Sequence, residues 1–135
     1  MKRILIGLLV LASGCGDAGA PASDGKSRTI QSNGGSFSVT FESTPNPIPM
    51  NALFDLTFKI APQEPGRTPE STVVVDARMP AHFHGMTRAP KLGRLPDGTY
   101  KAEGMLFHMP GHWELTFDVT QGGKTERAQA DIDLK

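Results

Sequence analysis

Apolar and polar residues alternate along most of this chain. "SFSVTFE" sets Phe37, Val39 and Phe41 against polar neighbours, and "FDLTFKI" does the same with Phe54, Leu56, Phe58 and Ile60. "TVVVDARM" puts Val73, Val75, Ala77 and Met79 on one face, with Asp76 and Arg78 on the other. In "HWELTFDV", Trp113, Leu115, Phe117 and Val119 point inward and His112, Glu114, Thr116 and Asp118 outward. "RAQADIDL" repeats the pattern with Ala128, Ala130, Ile132 and Leu134. A period of two sustained over four or more residues marks half-buried strands, and no segment keeps a helical period.

The punctuation between these runs agrees. "TPNPIPMN" and "APQEPGRTPE" are too rich in proline for central strand. "LPDGTY" and "TQGGKT" carry the Asp-Gly and Gly-Gly pairs that hairpin turns use. The pattern predicts an all-β domain: an immunoglobulin-like antiparallel β-sandwich of about seven strands. "DGTYKA" resembles the corner motif of such folds, in which a Tyr near a strand start bonds back across the corner, with Ala102 where a disulfide cysteine would sit. Trp113 is the expected centre of the core.

The first residues depart from this pattern. Lys2 and Arg3 precede the apolar run Ile4–Ala12, which is too short to span a bilayer and the right size for a signal peptide. "LASGC" follows, ending at Cys15, the single cysteine of the chain. It resembles a bacterial lipobox, with Ala12 at the position usually held by Leu. The expected organisation is a signal peptide over 1–14, a lipidated Cys15 with a small, polar, flexible tether to residue 35, and one domain over 36–135. The expected location is outside the inner membrane barrier, lipid-anchored to the cell envelope, with the leaflet open.

Export changes the meaning of composition. The mature domain faces an oxidising space but keeps no free cysteine for a disulfide, so its fold depends on its core. Removing Lys2 and Arg3 leaves 12 basic against 14 acidic residues, from 14 of each. A near-neutral surface argues against a nucleic-acid partner.

The candidate chemistry is concentrated. All four histidines, His82, His84, His108 and His112, fall in "MPAHFHGM" and "MLFHMPGHW", together with Met79, Met86, Met105 and Met109. Thioether sulfur is soft and selects Cu(I), while imidazole serves copper in both oxidation states and zinc. A mixed His/Met set therefore points to copper. A blue-copper centre needs a cysteine thiolate, which the mature domain lacks. In an extended backbone His82, His84 and Met86 point to one side. They are the leading metal-ligand candidates, followed by His108 and Met109, then Met105 and His112, with Met79 last.

These two segments, "MPAHFHGM" and "DGTYKAEGMLFHMPGHWELTFDV", resemble the YtkA-like domain family, itself similar to the FixH group of exported bacterial proteins. The resemblance covers about residues 75–120. It implies a small exported β-sandwich linked to copper and to respiratory-oxidase assembly. His82, His84, Met86 and Met109 stand at the family's motif positions; His108 and His112 are additional to them.

Copper handling or delivery in the envelope is thus the first functional expectation, with an oxidase assembly component as a possible kind of protein partner. The alternative is a metal-free protein-interaction module of the envelope. No nucleophile elbow, paired-carboxylate motif or phosphate-binding glycine loop supports an enzyme.

Overall fold

The computed structural model describes residues 27–65 and 71–135. The expected signal peptide, Cys15 and most of the expected tether lie outside the described residues. Nine strands follow in order: β1 (Arg28–Gln31), β2 (Phe37–Thr44), β3 (Leu53–Pro62), β4 (Thr72–Met79), β5 (His84–Gly85), β6 (Lys91–Arg94), β7 (Tyr100–Leu106), β8 (Gly111–Gln121) and β9 (Lys124–Leu134). They form two antiparallel sheets, ordered β1-β2-β3-β7-β6 and β5-β4-β8-β9. With β1 set aside, this is the strand order of an immunoglobulin-type sandwich. No helix among the described residues is long and apolar enough to cross a membrane.

The alternating runs pack as their period dictates. β4 reads exposed and buried in strict turn, as does β9 from Glu126 to Asp133. The inward faces meet around aromatic rings: Phe117 lies edge-on to Phe58 at 5.0 Å and tilted against Phe41 at 5.4 Å. Trp113 is fully buried and stacks on Phe107 at 4.6 Å with 3° between the ring planes. Burial of each such side chain stabilises the fold by roughly 1.5–3 kcal/mol. Thr116, expected outward, is only 5% exposed, and its hydroxyl donates to the Asp76 carbonyl at 3.2 Å.

Two further sequence expectations need correction. The tether does not run to residue 35, because β1 already pairs with β2 from Arg28. "RTIQ" is too short and too polar to declare itself by period; backbone pairing and side-chain anchors hold it instead. The Arg28 guanidinium donates to the Asp131 carbonyl at 3.2 Å, and the Asn33 and Arg127 backbones are joined by an N–H to carbonyl bond of 2.8 Å. The β1–β2 turn is held by Glu126, which accepts from the Ser32 hydroxyl at 2.7 Å and the Ser36 hydroxyl at 2.6 Å. Lys124, 2.8 Å away, and then these hydroxyls lower the Glu126 pKa to about 2.

The tyrosine corner is the second correction. Tyr100 begins β7, between β3 and β6, where its ring stacks on Phe58 at 5.2 Å and lies under the Arg94 guanidinium at 5.4 Å. The ring is engaged by side chains on its own sheet face, and the neighbouring turn is closed by Asp97, whose carboxylate accepts the Thr99 N–H at 2.9 Å.

One irregularity sets up the site. The β3–β7 register shifts between Phe54 and Leu56, opposite Gly104 at φ 76°. The Gly104 N–H donates to the Asp55 carboxylate at 3.0 Å, which lowers that group's pKa, as does Lys101 beside it. This bulge changes the inward parity of β7 from Ala102 to Met105 and Phe107.

Candidate metal centre

The first His arm is a reversal at the end of β4. Pro80, with its fixed φ, opens a single 3-10 turn over Pro80–His82, and Phe83 closes it in the left-handed region at φ 55°. β5 then folds back on β4, with Met79 opposite His84 and Arg78 opposite Gly85. The expected extended backbone through His82, His84 and Met86 is therefore broken between the two histidines. The turn takes His82 to the exposed tip, half-buries His84, and carries Met86 on to the flank of β4, where it lines a hollow with Val74, Val75 and Asp76.

The second arm is the loop 107–110 that crosses from β7 to β8. Its geometry is set by Trp113, whose indole N–H donates to the Met109 carbonyl at 3.0 Å while the ring stacks on Phe107. Gly111 has φ 120°, and a Cβ there would stand 2.9 Å from the Met79 methyl carbon. The last residue of β4 thus packs against the first residue of β8, and the two arms are drawn together.

Three imidazoles line up as a result. The ring centroids of His82 and His84 are 5.7 Å apart, and those of His84 and His108 are 5.1 Å apart. The buried Trp113 ring lies T-shaped to His84 at 6.2 Å and to His108 at 5.5 Å. The His84 Nδ1 lies 3.1 Å from the Gly85 carbonyl. The His108 Nδ1 is buried and has no hydrogen-bond partner. Among the described residues, no three His, Cys, Asp or Glu side chains converge on one point.

The other candidates divide. Met109 is half-buried against the core in the second arm. Met105 and Met79 are core residues, 0% and 1% exposed. His112 lies on the opposite strand face from Trp113, with Nδ1 2.9 Å from the Asp133 carboxylate and Nε2 3.6 Å from that of Asp131. The bond to Asp133 raises the His112 pKa above its ordinary value.

Two neighbours of the site carry no local sequence signal. The Asn51 N–H donates to the Phe107 carbonyl at 2.8 Å, which sets the loop bearing Met50, 48% exposed, beside the second arm. Phe83, between the two histidines, is 97% exposed. Comparisons with protein families, with curated proteins and with solved structures found no match to this chain, so the YtkA-like resemblance rests on the two motif segments.

Proposed function

We propose that this is a lipid-anchored, exported β-sandwich that binds copper for handling or delivery in the cell envelope. The observation that carries the proposal is the approach of His84 and His108 from separate arms, 5.1 Å between ring centroids. Two imidazoles bonded to one ion at about 2.0–2.1 Å have centroids roughly 5–6.5 Å apart, and the spacing of this pair falls in that range. The unpartnered His108 Nδ1 supplies a buried lone pair or N–H in search of a partner. Met109 adjoins His108 in sequence, and a thioether favours copper over zinc. His82 adds an exposed imidazole at the mouth.

The test is a copper titration of the purified domain against a chromophoric Cu(I) competitor, followed by desalting and metal analysis. Retention of copper by the native chain, and its loss in the His84→Ala, His108→Ala double variant with an unchanged circular dichroism spectrum, supports the proposal. Equal retention by the double variant overturns it. Anchoring through Cys15 is read separately, by detergent-phase partitioning of native protein and Cys15→Ala.

One observation favours a metal-free interaction module as the second reading. Phe83 holds a large apolar ring 97% in solvent on a left-handed backbone, which folding alone gives no reason to keep. A stable domain that retains no copper after desalting favours this reading.

A further inference from the structure

The Nδ1 atoms of the two imidazoles stand in different hydrogen-bonding states. A neutral imidazole has one N–H and one lone pair. The His84 Nδ1 faces the Gly85 carbonyl at 3.1 Å, and a carbonyl only accepts. Nδ1 therefore carries the proton, and the lone pair of His84 is on Nε2. His108 is the reverse case. Its Nδ1 is buried without a partner. An N–H in that position is left with no acceptor, which is costly in a dry interior. A lone pair in that position, with the proton on Nε2, becomes satisfied when a cation binds.

The surroundings select the cation. Zinc takes four ligands in structural sites, and Cu(II) prefers a square arrangement of nitrogen and oxygen. Among the described residues no third His, Cys, Asp or Glu side chain completes such a set. One side of the pair is walled by the Trp113 ring, 0% exposed, at 6.2 and 5.5 Å from the two imidazoles. A dry wall and two neutral nitrogens suit a soft monovalent ion of low coordination number.

Resting on the copper reading above, we infer that the site is specific for Cu(I), held by the Nε2 of His84 and the Nδ1 of His108. Trp113 is a positioning residue for both rings. It holds the Met109 backbone through its indole N–H and offers no ligand itself.

The experiment uses the native chain with 15N-labelled histidine, titrated without oxygen with Cu(I) supplied as its acetonitrile complex. Long-range 1H–15N spectra distinguish the two nitrogens of each ring. The expected result is one ion per chain, with the His84 Nε2 and His108 Nδ1 resonances shifted and their partner nitrogens still protonated. Copper bound with His108 engaged through Nε2, or with His108 unmoved, overturns the ligand assignment and leaves copper binding standing. Zn(II) or Cu(II) retained through desalting as well as Cu(I) overturns the specificity. No retained copper of either kind overturns both this inference and the reading beneath it.

Discussion

The methyl group of Met79 fills the space in front of Gly111, 2.9 Å from where a Cβ would stand. This contact fastens the end of β4 to the start of β8, and the two His arms hang from those ends. Gly111 also sits at φ 120°, outside the range that L side chains favour. Gly111→Ala is expected to destabilise the domain by about 1–3 kcal/mol, measured by urea denaturation. It should also weaken copper binding under conditions where the variant remains folded.

The row of imidazoles predicts a graded response to truncation. His84→Ala and His108→Ala should each lower Cu(I) affinity by more than about 100-fold, since even outer partners of metal ligands cost roughly 10–100-fold. His82→Ala, at the exposed tip, should cost less than about tenfold and act mainly on the loading rate. His112→Ala should leave both unchanged, because that ring is engaged by Asp133 on the other face of β8. Competition titrations and stopped-flow loading of the four variants check the ranking. Equal effects from all four would break the site assignment.

Trp113→Phe removes the indole N–H that meets the Met109 carbonyl at 3.0 Å. The expected cost is about 1–3 kcal/mol for the unsatisfied carbonyl, added to the lost packing and read by chemical denaturation. Copper affinity should fall while the stoichiometry holds at one ion. A change in stoichiometry would mean that the indole does more than position the rings.

Glu126 predicts an acid limit to stability. Its folded pKa is lowered to about 2 from an ordinary 4.5, by Lys124 first and then by Ser36 and Ser32. A depressed carboxylate contributes stability that is complete above the ordinary value and disappears as pH falls through the folded one. Glu126→Gln should therefore be less stable than native protein at pH 7, with the difference shrinking from about pH 4.5 towards 2. His112 runs the other way. Its pKa is raised, so the stability it contributes is present below the ordinary 6.5 and lost as pH rises through the folded value. Denaturation midpoints of native protein, Glu126→Gln and His112→Ala across pH 2–9 separate the two effects.

Phe83→Gly relieves a left-handed backbone and removes an exposed ring together. It should raise stability by up to about 1–2 kcal/mol, measured by thermal or urea unfolding. A loss of stability would mean that the ring packs within the domain in solution, which would remove the exposed ring on which the interaction-module reading stands.

The long strands were legible in the sequence because their period of two reflects a sheet with one dry face: Val73 to Met79 and Trp113 to Val119 are buried as expected. β1, β5 and β6 were not, because they are short and mostly polar and show no apolar alternation, and backbone pairing with longer neighbours holds them. The His/Met composition of the two arms was visible. Its geometry was not, because Pro80 and Phe83 curl the first arm and the Gly104 bulge resets the parity of β7 before the second. Tyr100 misled for a related reason: a Tyr after a turn looks alike on either sheet, and only strand order places it on β7. The neighbours Asn51 and Phe107 are far apart in sequence, and pairing between β3 and β7 alone brings them together.

The position of β1 has a mechanical consequence. Arg28 is bonded to Asp131, three residues before β9 ends at Leu134 and seven after it begins at Lys124. The chain therefore joins the sandwich in the half that holds the imidazoles, away from the Gln121–Lys124 hairpin. Tension applied through the N-terminal segment is borne first at that half, by a four-residue strand and its few bonds to Asp131 and Arg127. A pull through Arg28 would thus reach the histidine end of the sandwich before the hairpin tip.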